Sequence, residues 1–373
     1  MDRGEKKYIW QRPDWPRWHY DSQKLSPLLS QVHHAQGLLQ GRMRNIGFGL
    51  SEESTLTMLT SEVLKTSEIE GELLDPETVR SSVARRLGME SAAIAPQDRR
   101  VDGVVNMVLD ATQNFKKELT SDRIFGWHEG LFPAGYSDDV EIRVGNWRDD
   151  MKGAMQVISG PMGRELVHFE APPAQLIPKE MTNFLHWFNQ EQGVDPLVKA
   201  GLAHLWFVTI HPFEDGNGRI GRAVCDMALA RSEHSAQRFY SLSAQIRKER
   251  KSYYNMLERT QRDSLEVTHW LEWFLGILLR ALQGAEDSLN EVLTKARFWQ
   301  EWAGTTLNPR QSTMINKLLD GFSGNLTSNK WAIINKCSPD TALRDITDLI
   351  IKGLLIKAPA GGRSTHYQLK PLD

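Results

Sequence analysis

The sequence predicts a mostly α-helical protein with one small β-hairpin in its body. Three observations carry that expectation. Apolar residues recur at helical spacing almost throughout the 373 residues, strand signals in the body are confined to 144–169, and no internal repeat or low-complexity tract is present. With 40% hydrophobic and 25% charged residues the composition is that of a globular protein, and the length suggests two or three domains. Two cysteines, Cys225 and Cys337, exclude a disulfide scaffold. Neither a signal peptide nor a membrane helix is expected, because 1–7 is polar, Pro13 and Pro16 break 10–18, and the apolar stretch 270–282 is short and holds Glu272 and Arg280. The expected compartment is the cytoplasm.

The elements follow in order. Residues 1–50 open with an aromatic leader, Tyr8, Trp10, Trp15 and Trp18 among Arg12, Pro13, Pro16 and Arg17, which is expected to pack on a neighbouring core. Residues 22–40 and 51–70 read as helices, the second opened by Ser51 with Glu52 and Glu53 behind it. Asp75-Pro76-Glu77 starts a short helix, and 93–96 opens one running through 101–119. Asn146-Trp147-Arg148 and Met155-Gln156-Val157-Ile158 flank a turn at 149–153, and Gly160-Pro161-Met162-Gly163 interrupts the chain again, which reads as an exposed hairpin. Helical spacing then covers 174–190, 195–209, 220–231, 245–261 and 267–302, the last with Gly276 or Gly284 able to break it. Past Asn308-Pro309 come three helices, 310–319, 328–335 and 339–352, and strands at 354–357 and 366–369. The expected division is therefore a leader (1–50), a helical core (51–285), a helical linker (286–307) and a C-terminal domain (308–373). The net charge of −2 is uneven: from Gly304 onward nine Lys+Arg face five Asp and no Glu, so this tail carries +4 and leaves −6 elsewhere. Any general attraction to nucleic acid should lie in the tail.

The chemistry lies in 211–222, HPFEDGNGRIGR, a polar insert between the apolar runs 201–210 and 223–230. Gly216-Asn217-Gly218 can turn successive backbone amides toward one anion, and a helix starting near Arg219 adds its positive end. Arg219 and Arg222, three apart, face one way on that helix and can clamp phosphate oxygens. Asp215 could hold Mg²⁺ on a polyphosphate, and His211 is the candidate base.

His211, Phe213, Asp215, Gly216, Asn217, Gly218, Arg219 and Arg222 match the H-x-F-x-[DE]-G-N-G-R-x-x-R motif at all eight fixed positions, so the chain resembles Fic-domain proteins over about 52–282. The resemblance implies a helical bundle with a β-hairpin flap and transfer of AMP from ATP to a protein hydroxyl, with pyrophosphate released. It implies His211 as base, Asp215 on Mg²⁺, Gly216, Asn217 and Gly218 at the α-phosphate, Arg219 at the β-phosphate and Arg222 at the γ-phosphate. The flap, Met155 to Gly160, would pair with an extended segment of a protein substrate, itself included, while Val157, Ile158, Ser159 and Gly160 border the nucleotide. Tyr253-Tyr254, Leu257 and Gln261 resemble the family's Y-Y-x-x-L element at adenine and ribose, with Gln261 where many relatives have Asn. Thr66-Ser67-Glu68-Ile69-Glu70-Gly71 matches the inhibitory [ST]-x-x-x-E-[GN] motif, so Glu70 is expected to pair with Arg222 and block a productive triphosphate. The same Glu70 could align water for removal of AMP from a target. The tail resembles a winged helix, with Ser338 capping its third helix, Gly361-Gly362-Arg363 at the wing tip, and Thr341 and Arg344 facing DNA bases if it binds DNA. Asp340, Asp345 and Asp348 weaken that reading, and a docking or homodimerisation module is preferred. The alternatives are a DNA-binding regulator with a nucleotide-sensing core and an enzyme using another phosphate-containing donor.

Overall fold

Helices make up most of the chain in a computed structural model that describes residues 8–45, 48–89, 95–137, 139–160, 163–319, 322, 324–358 and 365–371. The chain divides into two units, Met1–Ala285 and Glu286–Asp373. In the first, α1 (Ser22–Asn45), α2 (Phe48–Glu70), α3 (Pro76–Arg86), α4 (Arg99–Gln113) and α5 (Ser121–Leu131) precede two short antiparallel pairs, β1 (Tyr136–Ser137) with β2 (Val140–Glu141) and β3 (Gln156–Ser159) with β4 (Leu166–Glu170). Then come α6 (Ile177–Gln190), α7 (Pro196–Ile210), α8 (Asn217–Glu233), α9 (Leu242–Lys248), α10 (Arg250–Gln261) and α11 (Thr268–Glu301), whose residues from Glu286 onward belong to the second unit.

The core is built on α7, in which every residue except Pro196 and Lys199 is buried. Such a helix, apolar all round, is stable only when enclosed. Asp195 caps its N-terminus through Leu197 N at 2.8 Å, and Pro196 fills the first position, where an amide would be unpaired anyway. Helix α8 packs along it, and α2 lies against α3, α4, α8 and α9. At the α4–α5 crossing a β-carbon on Gly103 would overlap the Gly130 backbone, so the two helices meet main chain to main chain. The leader packs on the bundle: Trp15 and Trp18 sit edge-on to Trp206 at 6.1 and 6.0 Å, and His19 exchanges backbone hydrogen bonds with Leu265 and Val267.

Several sequence expectations shift. The segment around Trp147 is not a strand; β3 pairs instead with β4, beyond Gly160. Helix 245–261 is two helices parted at Glu249 (φ −110°, ψ 26°), and α11 runs unbroken through Gly276 and Gly284. Helix α5, capped by Thr120 and buried at Ile124, Trp127, His128 and Leu131, and the β1–β2 pair were not anticipated from the sequence.

The second unit contains α12 (Pro309–Leu319), α13 (Ser328–Ile334), α14 (Pro339–Ile351) and an antiparallel pair, β5 (Leu355–Lys357) with β6 (Tyr367–Leu369). Trp331, Met314, Ile346 and Leu354 form its core. Asp345 faces inward, accepting from Arg310 Nε at 2.7 Å and Asn308 Nδ2 at 2.8 Å, so it is an internal strut and not a repulsive surface charge. The Thr341 hydroxyl is engaged with Ser338 at the α14 cap, 2.9 Å away, while Arg344 is exposed. Gly361, Gly362 and Arg363 lie outside the described residues, as do Pro161 and Met162.

Candidate active site

The site begins where α7 ends. His211 is its C-cap in a left-handed conformation (φ 52°), unusual for a residue with a side chain and found where the surroundings enforce it. Here Arg148 enforces it: Nε donates to His211 O at 2.8 Å, Nη2 to Pro172 O at 2.5 Å, and its backbone amide to Pro212 O at 2.9 Å. Phe213 is fully buried and stacks on His128 with ring centroids 4.0 Å apart. The Asn217 side chain closes the loop on itself, accepting from Phe213 N at 3.0 Å and donating to Phe213 O at 2.8 Å. Its carboxamide is therefore a structural staple, and only the Asn217 backbone amide is left for a ligand.

Gly216 (φ 82°) turns the chain into α8, in a conformation that favours glycine. Its amide is already taken by Asp215 Oδ1 at 2.5 Å. The amides of Asn217, Gly218 and Arg219 precede the first intrahelical bond, from Ile220 N to Gly216 O, and form the positive end of the helix. Asp215 also accepts from the Ser137 hydroxyl, and its carboxylate is 43% exposed beside this turn. His128, absent from the sequence reading, accepts from Gly145 N at 3.1 Å and lies 3.1 Å from Asp215 O. Nδ1 being the acceptor, the ring donates through Nε2 and is neutral, and burial accordingly lowers its pKa to about 4.

His211 shares that character. Its Nδ1 is 3.2 Å from Val208 O, a carbonyl that can only accept, so Nδ1 carries the hydrogen and Nε2 keeps a lone pair. Burial, more than any neighbouring charge, lowers its pKa to about 4. Beside it opens a cavity of about 430 Å³ lined by Val157, Ile158, Ser159, Gly218, Tyr254 and Gln261, within the size range of small-ligand sites. The two adjacent tyrosines differ. Tyr253 is buried, with its hydroxyl 2.8 Å from His204 Nε2, whereas Tyr254 is 36% exposed. Gln261 is buried and donates to Thr209 Oγ1 at 3.2 Å. Gly160 lies beyond the end of β3 (φ 102°) and is not among the cavity's lining residues.

Two carboxylates from the end of α2 occupy the arginines. Glu70 Oε1 is 2.6 Å from Arg222 Nη1, and a β-carbon on Gly218 would overlap the same carboxylate. Arg222 also donates to Thr66, through Nε to Oγ1 at 2.7 Å and through Nη2 to the carbonyl at 2.8 Å. The second carboxylate, Glu72, was not read from the sequence: it accepts from Arg219 Nη1 at 2.7 Å. Local backbone chemistry presents it. Gly71 (φ 95°) ends α2, its amide donates to Glu68 O and that of Glu72 to Ser67 O, a cap that folds the chain back so that residues 70 and 72 face two arginines one turn apart. No cluster of three or more metal-ligating side chains occurs among the described residues.

The Fic/DOC family model matches residues 118–229. This segment is a Fic/DOC family domain. A second model, a domain of unknown function (DUF4172), matches residues 8–89. A probable protein adenylyltransferase of Aquifex aeolicus (strain VF5) is 27% identical over 183 residues, 48% of this chain and 48% of that protein. A protein adenylyltransferase of Caenorhabditis briggsae is 33% identical over 227 residues, 56% of this chain and 40% of that one. The chain thus spans half or less of these relatives' length. A Fic family protein from Desulfovibrio desulfuricans G20 has the same fold, with a TM-score of 0.52 at 20% identity, covering 93% of this chain and 97% of that one. No helix among the described residues is long and apolar enough to cross a membrane.

Proposed function

We propose that this chain is an autoinhibited protein adenylyltransferase that moves AMP from ATP to a Ser, Thr or Tyr hydroxyl of a protein docked along the Fic flap. The observation that carries the reading is the neutral His211, with Nδ1 committed and Nε2 free, beside the α8 N-terminus and two buried arginines. Nε2 takes the proton of the incoming hydroxyl, whose oxygen attacks the α-phosphorus. The bond from that phosphorus to the bridging oxygen breaks, and pyrophosphate leaves. The amides of Asn217 and Gly218 meet the charge that builds on the α-phosphate, while Arg219 and Arg222 hold the β- and γ-phosphates. Asp215 is a fitting Mg²⁺ ligand, since that ion takes one or two carboxylates and binds otherwise through phosphates and water. When bound, it would neutralise phosphate charge.

In the described state Glu70 and Glu72 occupy both arginines and Glu70 covers Gly218, which supports the inhibitory reading. Release of α2 is then a condition of transfer. The test is a Glu70→Gly chain incubated separately with ATP labelled on the α- or the γ-phosphate. Protein-bound label from the α-position alone supports nucleotidyl transfer, and label from the γ-position alone contradicts it.

A further inference from the structure

The cavity beside His211 is mostly apolar, with Val157, Ile158, Phe169, Val208 and Leu257 in its walls, but one side carries three polar side chains joined in a row. Ser159 Oγ is 2.6 Å from His168 Nε2, and His168 Nδ1 is 2.7 Å from Glu258 Oε2. The backbone is shaped for this contact. In the flap Val157 faces Phe169 and Ile158 faces Val167, so His168 has no opposite residue and sits in a β-bulge. Bulges re-aim a side chain, and here the imidazole reaches α10. Arg262 fixes the arrangement, donating to the carbonyls of Val167 at 2.7 Å and His168 at 3.0 Å while lying 3.4 Å from Glu258 Oε1. The leader braces the same strand from behind, Tyr8 edge-on to Phe169 at 5.2 Å and Trp10 Nε1 donating to Glu170 O at 2.8 Å.

The row has one direction. The Glu258 carboxylate can only accept, so Nδ1 of His168 carries the hydrogen. In the neutral ring Nε2 keeps its lone pair and accepts the Ser159 hydroxyl hydrogen, which leaves the Ser159 oxygen with lone pairs alone to offer a ligand. We propose that Ser159, oriented by His168 and Glu258, selects the base: it accepts from the 6-amino group of adenine and repels a 6-oxo purine, whose oxygen is also an acceptor. This rests on the reading of the cavity as a nucleotide site and deepens it. Ser159 is the contact residue, and His168 and Glu258 are positioning residues.

The test is calorimetric titration of the full chain, carrying Glu70→Gly and Glu72→Gln so that both arginines are open, with ADP and with inosine diphosphate. These ligands share every phosphate and ribose contact and differ at the purine edge. ADP is expected to bind about tenfold tighter, the scale of one matched against one mismatched hydrogen bond. Adding Ser159→Ala or His168→Phe should bring the two affinities to within about threefold, because the fixed acceptor is gone. The ratio is taken on one protein sample, so a misfolded fraction lowers the stoichiometry for both ligands alike and leaves the ratio unmoved. Equal affinities before these changes, or a preference that survives both, would overturn the proposal while leaving the nucleotide site intact. Binding of neither diphosphate would overturn the nucleotide reading itself.

Discussion

Removing the two glutamates at the end of α2 should open the site in steps whose size follows from its geometry. Glu70 and Arg222 approach to 2.6 Å and Glu72 and Arg219 to 2.7 Å, while the arginine side chains are 3% and 7% exposed and the carboxylates 30% and 28%. Unit charges about 4 Å apart attract by about 4 kcal/mol at an effective dielectric constant of about 20. Part of that attraction offsets desolvation of the guanidinium, and the carboxylates are open enough to be screened, so each pair contributes about 1–2 kcal/mol net. Glu70→Gly should therefore tighten ATP binding by about fivefold to thirtyfold. It should raise transfer further, since the carboxylate over Gly218 leaves as well. Glu72→Gln alone should do little, because Glu70 still covers the glycine turn; in the Glu70→Gly background it should tighten ATP again by a similar factor. Residues two apart on one helix end are coupled, so the double change need not equal the sum. The assay is calorimetric ATP titration with Mg²⁺ of the four chains, with initial transfer rates beside it. Unchanged ATP affinity in Glu70→Gly would refute the electrostatic account of the brake, and no effect of Glu72→Gln in either background would remove Glu72 from it.

Other consequences are as specific. His211 has a pKa lowered to about 4, so the imidazole is already neutral across pH 5.5–7.5, and transfer by Glu70→Gly should show no acid limb from the base in that window; a half-loss centred near the ordinary histidine value, about 6.5, would contradict its burial. Asn217→Ala leaves the Phe213 amide and carbonyl without their partner, at about 1–3 kcal/mol, and should lower the transfer rate more than the melting temperature, as read by parallel activity and thermal unfolding. Arg238 pairs with buried Asp226 and faces Glu62 and Glu233, so Arg238→Ala should destabilise the chain by about 3–5 kcal/mol, read as a fall in the urea midpoint. A shift of under about 1 kcal/mol would mean that the cluster relaxes or takes up water.

What could be read from the sequence was what lies close together along it. The base, the Asp215 carboxylate, the glycine turn and both arginines fall within twelve residues, and α7 is too apolar to be anything but an enclosed helix. Glu70 was legible because 66–71 matches the inhibitory [ST]-x-x-x-E-[GN] motif, in which Gly71 marks the end of the helix. Glu72 lies past that cap, where pattern reading stops, yet a Glu on either side of a capping glycine was a signal available in the sequence. Arg148, His128 and the Ser159–His168–Glu258 row act across 63, 87 and 90 residues of chain, and spacing holds no trace of such pairings. The hairpin was misplaced because Trp147 and Arg148 alternate like a strand, whereas Arg148 is spent on loop carbonyls. The break at Glu249 was missed because apolar residues keep helical spacing on both sides of it.

The most direct test of the central claim is transfer of label from α-labelled ATP onto protein by three chains: the unaltered one, Glu70→Gly, and Glu70→Gly with His211→Ala. The account predicts little label in the first, a strong rise in the second, and loss of that rise in the third while ATP binding stays that of the second. Undiminished label in the third chain would contradict His211 as the base, and no label in any of them, with ATP bound, would contradict adenylyl transfer.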